Sequence, residues 1–183
     1  MTRARSRDCT DAELLLLGLL AEMPRHGYEI EQEIARRGLR EWAQIGFSSI
    51  YFILDKLKRA RLIAAKRATG AKARKTFALT AAGRRLLVAQ TLTALGTYRP
   101  TYGSLLLGMV HWPVLTRAQA LGALEGRGIA VDAELARLEA MHAEQQPLPD
   151  YVDAVFDFSL EQLKAEAKWI RRTFDYMKTK PVA

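Results

Sequence analysis

The chain has 183 residues, 49% of them hydrophobic and 26% charged, and its 28 lysine and arginine side chains outnumber the 20 aspartate and glutamate side chains. This composition excludes an intrinsically disordered chain and allows one ordinary domain or two small ones. The single cysteine, Cys9, excludes an internal disulfide, and no apolar stretch approaches the ~20 residues of a membrane span. We therefore expect a cytoplasmic protein.

The positive charge is concentrated in the first part of the chain. Residues 1–75 hold 16 basic and 9 acidic side chains, and the stretch from Lys56 to Lys75 holds nine basic side chains and no acidic one. Such a surface favours a polyanionic partner, which composition alone leaves open between nucleic acid and an anionic membrane surface.

Three short helices are predicted after a flexible basic arm at residues 1–9. The first helix has leucines at helical spacing, and the second runs from Tyr28 to Arg37. The third begins at Ser48 or Ser49, both good N-caps, with apolar residues on one face and basic residues on the other.

A basic hairpin follows the third helix. Its predicted strands are Leu62–Lys66 and Arg74–Leu79, joined by a loop that contains Thr69 and Gly70. Three helices and such a hairpin predict a winged helix-turn-helix in a mainly α protein with a small β-wing. Because a helix fits the ~12 Å major groove while the hairpin reaches the neighbouring backbone, we expect double-stranded DNA as the partner and no membrane contact.

The predicted DNA contacts have two roles. Polar side chains at the start of the third helix meet base edges, whereas the cations neutralise phosphates and position the protein. The predicted residues are Ser48, Ser49, Tyr51, Lys56, Lys58 and Arg59 on the helix and Lys66, Arg67, Lys72, Arg74 and Lys75 on the wing.

Four segments keep the order and spacing of a known family: Leu16–Leu20, His26–Ile30, Ser49–Tyr51 with the leucines after it, and Leu79–Gly83. They resemble the PadR family of bacterial transcriptional regulators over about residues 12–90. The resemblance implies a winged-helix repressor with a C-terminal helical dimerisation region. It also implies either a response to small, often phenolic or aromatic compounds or control of efflux and detoxification genes.

The same resemblance implies individual roles. Tyr28 matches a family tyrosine that packs beside and reaches the DNA backbone, and Ser49 and Tyr51 match the recognition-helix pair. A purely packing role for Tyr28 and Tyr51 stays open. The chain departs from the family at Phe52, where proline is usual, and at Arg61, where glycine ends the third helix. Since arginine lacks the conformational freedom of glycine, we expect the turn after this helix to differ.

The second half of the chain is predicted to be helical. We assign residues 10–96 to the DNA-binding domain and residues 97–183 to a dimerisation and effector domain. The predicted helices are Ala81–Leu95, Leu105–Trp112, one from Thr116 to a stop at Gly126 and Gly128, Asp132–Gln145, and a long one from Asp150.

The long last helix carries an apolar stripe at roughly 3.5-residue spacing, which includes Val155, Leu163, Ile170, Phe174 and Met177. The stripe is longer than the small remaining core can cover, so a second copy of the chain is the expected partner. Two copies place their recognition helices ~34–36 Å apart, which predicts a palindromic operator.

An aromatic effector site is a further hypothesis. Trp112 and Trp169 are its candidate residues, with Lys168 and Arg171 as cations for an anionic ligand, although a packing role for each tryptophan stays open. The three histidines lie in separate elements, so we expect no metal site, no cofactor and no enzyme activity.

One alternative function stays open. The basic winged domain of a protein- or ligand-binding helical module would contact acidic protein surfaces instead of DNA. If the affinity for duplex DNA falls steeply as the salt concentration rises, the DNA-binding function is favoured over this alternative.

Overall fold

The computed structural model describes residues 8–43, 45–67, 75–100 and 103–179. The chain divides into two compact units, residues 1–100 and 101–183. The first contains α1 (Asp11–Glu22), β1 (Arg25–His26), α2 (Gly27–Arg36), α3 (Phe47–Arg59), β2 (Ile63–Arg67), β3 (Lys75–Leu79) and α4 (Ala81–Gly96). The second contains α5 (Ser104–Val110), α6 (Arg117–Gln145) and α7 (Asp150–Thr179).

Helix α1 is capped and buried. The Thr10 hydroxyl accepts a hydrogen bond from the Glu13 backbone N–H, while the Glu13 carboxylate accepts one from the Thr10 N–H. This capping box satisfies two backbone donors that the helix leaves free. The core around α1 consists of Leu16, Leu17, Leu19, Leu20, Ile30, Ile34, Ile45, Ile50, Ile53, Leu54, Leu57, Leu62, Ile63 and Phe77.

The sheet has three antiparallel strands in the order β1-β3-β2. In the hairpin, Ile63 lies opposite Leu79 and Arg67 lies opposite Lys75, which confirms the predicted wing. Strand β1 was not predicted. Arg25 and His26 pair with β3, and a strand of two residues has no alternation that a sequence pattern can show.

Helix α3 starts earlier than predicted. Gly46 is its N-cap, so the prediction that Ser48 or Ser49 caps the helix is wrong. The Gly46 carbonyl accepts a hydrogen bond from the Ser49 N–H at 3.1 Å, which already closes the first turn. Both serines are therefore residues of that first turn, and their side chains are exposed.

Helix α3 ends in a turn with a non-glycine residue in the left-handed region. Arg61 has φ 58°, and the N–H groups of Arg61 and Leu62 donate to the carbonyls of Lys58 and Leu57. This is a Schellman motif with arginine at the position that glycine usually occupies. Arg61 therefore adopts the left-handed conformation, which glycine adopts at lower cost.

Helix α6 runs without a break through Gly126 and Gly128, so the two predicted helices here are one. Each glycine costs a helix about 1 kcal/mol relative to alanine, and packing along the neighbouring α7 offsets this cost. A Cβ at Gly128 would lie 3.5 Å from Ile170 Cγ2 of α7. The prediction failed because a local breaker signal ignores this long-range contact.

Helices α6 and α7 form the core of the second unit. Val131 of α6 packs with Ala167 and Ile170 of α7, and the Arg127 side chain donates to Glu166 at 2.6 Å. No helix in the described ranges is long and apolar enough to cross a membrane.

Candidate nucleic-acid interface

The two faces of α3 have different environments. Ile50, Leu54 and Leu57 are buried in the core of the first unit, which fixes the helix against α1 and α2. Tyr51 and Phe52 are exposed on the remaining surface, as are the acidic and basic side chains of the last two turns. The amphipathic pattern thus presents polar residues outward on a rigid support.

A groove of about 610 Å³ opens beside this exposed surface. It lies between the start of α2, the middle of α3 and the strand β3, and it is lined by His26, Gly27, Tyr28, Tyr51, Asp55, Lys75 and Phe77. Tyr28 is 52% exposed and Tyr51 is 46% exposed. Two tyrosine hydroxyls and one lysine therefore lie where a polyanion can reach them.

Close backbone approach shapes the groove. A Cβ at Gly27 would lie 2.6 Å from Cε1 of the Tyr51 ring, so the first residue of α2 contacts α3 directly. On the opposite wall the His26 Nδ1 lies 3.1 Å from the Thr76 hydroxyl, which ties β1 to β3. Tyr51 thus contacts α2, and the wing is held to the residue before α2.

Lys56 occupies a different environment from its basic neighbours. Its ammonium lies 2.9 Å from the Glu13 carboxylate of α1, a side chain that is only 1% exposed. A carboxylate this deeply buried needs a partner, because an unpaired charge in the interior is strongly destabilising. Lys56 therefore joins α3 to α1, whereas in the described part of the chain Lys58 and Arg59 are exposed and form no salt bridge.

The structure describes only part of the predicted wing contacts. Lys75 lines the groove, with its ammonium 5.4 Å from the centre of the Phe77 ring. The backbones of Lys66 and Arg67 belong to β2, and Lys72 and Arg74 lie outside the described residues. Sequence reasoning missed His26 and Asp55 as groove residues, although Asp55 follows Tyr51 at the i,i+4 spacing of one helix face.

A network of charges orients α2 against α1. Arg25 donates to the Leu19 carbonyl at 3.3 Å and to Glu22 at 2.9 Å, and Arg37 also binds Glu22 at 2.7 Å. Glu33 accepts from Arg36 and from Arg37, both at 2.7 Å. The hydrogen bond from Arg36, aided by the charges of both arginines, lowers the pKa of Glu33 to about 2.

In the second unit the two predicted effector residues line one cavity. Trp112 and Trp169 border a space of about 400 Å³, which is completed by Met109, Arg172, Thr173 and Tyr176. The cation in this lining is Arg172. The predicted Arg171 instead pairs with Asp132 at 3.4 Å, and Lys168 is exposed.

The predicted dimerisation stripe is partly used within the chain. Ile170 is buried against Val131, with Leu163 packed beside them. Because α6 is one continuous helix, it is long enough to cover this part of α7. The expectation that the remaining core is too small to cover the apolar stripe was therefore wrong at Ile170. Val155 is exposed, and the Met177 carbonyl accepts a hydrogen bond from Arg117. Phe174 is half-buried under the Lys178 ammonium, 4.3 Å from the ring centre.

Comparisons with known proteins agree with this geometry. Residues 16–89 match the transcriptional regulator PadR-like family. The curated proteins include none that matches the sequence. Among solved structures, Bacillus subtilis PadR in complex with operator DNA has 20% identity and a TM-score of 0.71, over 90% of this chain and 98% of that one.

Two further structures share the fold. Bacillus subtilis PadR in complex with p-coumaric acid has 21% identity and a TM-score of 0.73, over 91% of this chain and 98% of that one. A PadR-like transcriptional regulator from Bacillus cereus has 15% identity and a TM-score of 0.65, over 95% and 99%. Residues 16–89 are thus similar to the transcriptional regulator PadR-like family, and the fold is shared with solved PadR structures along nine-tenths of the chain.

Proposed function

We propose that this protein is a transcriptional regulator, a cytoplasmic repressor that binds a palindromic operator as a homodimer. In this proposal residues 10–96 bind DNA, and residues 97–183 form the dimer and hold an effector. The observation that carries the proposal is the groove, in which the exposed Tyr28 and Tyr51 lie beside Lys75. The exposed Lys58 and Arg59 extend the same basic surface.

The division of labour follows from the positions of these side chains. The first turn of α3 presents exposed Ser48 and Ser49, which are short enough to contact base edges when the helix enters the major groove. Lys58 and Arg59 lie near the end of the helix, where they neutralise phosphates. The Bacillus subtilis PadR structure contains operator DNA, which supports assigning this surface to DNA.

The DNA-binding proposal is tested by selection from a random duplex library with the purified chain, followed by titration of the selected duplex over a salt series. We expect a palindromic motif and an affinity that falls steeply with salt. Lys58→Ala lowers affinity for all duplexes alike, whereas Lys164→Ala, on α7, leaves it unchanged. Absence of duplex binding at low salt contradicts the proposal.

An exposed apolar face of α7 supports the homodimer. Tyr151, Val155 and Phe158 recur at i, i+4 and i+7 and are 72%, 40% and 65% exposed. Large side chains at this spacing form one stripe along the helix, and leaving them in water forgoes the gain of burial. A second copy with the same stripe covers them symmetrically.

The homodimer is tested at Phe158. Phe158→Glu places a charge in the proposed interface, and we expect a dimer dissociation constant at least about 100-fold higher in sedimentation experiments. Lys164→Glu changes charge on another side of α7 and is the matched control. A dimer of unchanged affinity in Phe158→Glu rules out this face as the interface.

The cavity of Trp112 and Trp169 is the proposed effector site. Two indoles and Tyr176 provide flat apolar walls, and Arg172 provides a cation for a carboxylate. A relative with this fold has been solved with p-coumaric acid, an aromatic acid of matching chemistry. Binding releases the operator only if the ligand has unequal affinity for the two states of the dimer.

The effector proposal is tested with p-coumaric acid as the probe. We expect it to quench tryptophan fluorescence in a Trp42→Phe background and to weaken operator binding, and we expect Trp169→Phe with Arg172→Gln to remove both effects. If phenolic and cationic aromatic compounds change neither signal, the cavity is not an effector site.

A further inference from the structure

Asp55 is a negatively charged side chain on α3, the helix proposed to contact the negatively charged DNA. Between Gly46 and Lys75 the sequence has nine basic side chains, and Asp55 is its only acidic one. The side chain is exposed and lines the groove one helical turn after Tyr51. The carboxylate thus lies on the surface proposed to face DNA.

None of the salt bridges described in the first unit includes the Asp55 carboxylate. The adjacent Lys56 directs its ammonium to Glu13 instead. Within the ranges that the structure describes, Asp55 forms neither a salt bridge nor a hydrogen bond. A carboxylate beside phosphates lowers affinity for every duplex by like-charge repulsion. A base that offers the carboxylate a hydrogen-bond donor offsets this repulsion at one position of the duplex.

The four bases differ in what they offer in the major groove. Cytosine presents the N4 amino donor, guanine presents the acceptors N7 and O6, and thymine presents the acceptor O4. Adenine presents its N6 donor beside the N7 acceptor. Since an ionised carboxylate accepts hydrogen bonds but donates none, it matches cytosine, repels guanine and thymine, and gains less from adenine.

We infer that Asp55 is a specificity-determining residue that selects cytosine by accepting a hydrogen bond from the N4 amino group at the base pair facing the third turn of α3. This inference rests on the proposed DNA-binding function and adds one base preference to it. Asp55 weakens binding to duplexes without the cytosine and so widens the gap between operator and other DNA. Lys58 and Arg59 supply the affinity that this repulsion removes.

Two substitutions separate base selection from charge alone. Asparagine is close in size to aspartate but carries both a donor and an acceptor, which together match the N6 and N7 of adenine. Asp55→Asn is therefore expected to change the preference at this position from cytosine to adenine. Asp55→Ala removes the preference and raises affinity for unrelated DNA. The wild-type preference for cytosine is about tenfold, as for one mismatched base pair.

The experiment is selection from a random duplex library at constant salt with the full chain and with Asp55→Asn, Asp55→Ala and Lys58→Ala. Duplexes that differ only at the cytosine position are then titrated. Because Asp55 is exposed and unpaired among the described residues, thermal unfolding is expected to be unchanged in both Asp55 variants. Lys58→Ala is the comparison for a charge change on the same helix, and its motif is expected to equal that of the wild type.

The outcomes distinguish the inference from the proposed function. A motif whose single position changes to adenine in Asp55→Asn and loses its preference in Asp55→Ala supports the inference. The same motif from all four proteins, with affinity alone altered, overturns it and leaves DNA binding intact. No motif from the wild type overturns both.

Discussion

The two units differ in how they bury apolar surface. In the first, the leucines of α1 and the apolar faces of α2, α3 and the wing close around one core, and the exposed apolar side chains include the groove tyrosines. In the second, α6 and α7 bury one seam and leave a stripe of α7, including Tyr151 and Phe158, in solvent. The first unit therefore has the larger core, although it also exposes Leu92 and Leu95 of α4. Covering the stripe of the second unit is the role proposed above for a second copy of the chain.

The largest expected effect tests the core of the first unit. A Cβ at Gly83, in the first turn of α4, would lie 2.1 Å from the Leu62 carbonyl oxygen. Since backbone must move to relieve this clash, we expect Gly83→Ala to lower the free energy of unfolding by about 3 kcal/mol. Chemical denaturation measures the loss. Gly122→Ala in α6 has open space and is expected to stabilise by up to about 1 kcal/mol, and a loss there as large as at Gly83 would contradict the argument.

The second-largest expected effect distinguishes the roles of two lysines of α3, Lys56 and Lys58. Lys56→Met keeps the alkyl stem but leaves the buried Glu13 without its ammonium, so we expect a loss of about 2 kcal/mol in unfolding free energy. Lys58→Met is expected to leave stability unchanged and to weaken duplex binding. Denaturation and DNA titration of both variants measure the difference. Equal behaviour of the two lysines shows that the Glu13 pair does not hold α3 in place.

The charge network on α2 gives a pH dependence. The pKa of Glu33 is lowered from 4.5 to about 2, chiefly by the hydrogen bond from Arg36, so its ionised form stabilises the fold above pH 4.5. This stability is lost as the pH falls from 4.5 towards 2. Glu33→Gln is expected to cost about 1.5 kcal/mol at neutral pH and to flatten the dependence. The free energy of unfolding, measured at pH 7, 4.5 and 3, gives both the loss at neutral pH and the pH dependence. The control Glu125→Gln, exposed on α6, should keep the wild-type profile.

The smallest effect concerns the turn after α3. Arg61 at φ 58° carries the strain of a left-handed L-residue, so Arg61→Gly is expected to stabilise the first unit by about 1 kcal/mol. Arg61→Ala removes the charge but keeps the strain and is expected to bring no gain. Thermal unfolding of the two variants decides whether strain or charge matters at this position.

Much of the architecture could be predicted from local signals. The winged domain, the hairpin and the helical second half are confirmed, because apolar spacing and caps such as Thr10 act within a few residues. The start of α3 was missed since Gly46 caps the helix through its backbone and not through a side chain. The break predicted at Gly126 and Gly128 was wrong because packing of α6 on α7, at Gly128 and Ile170, overrides helix propensity.

The candidate site shows the same division. Spacing placed Tyr51 and Lys58 on the exposed face of α3, as the structure does. It gave no signal that Lys56 pairs with Glu13, forty-three residues away in the chain. Nor could it show that Trp112 and Trp169 border one cavity, since the elements between them set that distance.

The sequence by itself determined the mainly helical fold class, the amphipathic α3, the basic wing and the helical second half. These depend on the period of apolar residues and on local caps, which operate within one or two turns. Only the tertiary structure decided which cation is held by α1, where β1 adds to the sheet, and which face of α7 stays exposed. Each of these depends on contacts between residues far apart in the chain, whose burial and pairing energies exceed the local preferences that a sequence pattern reports.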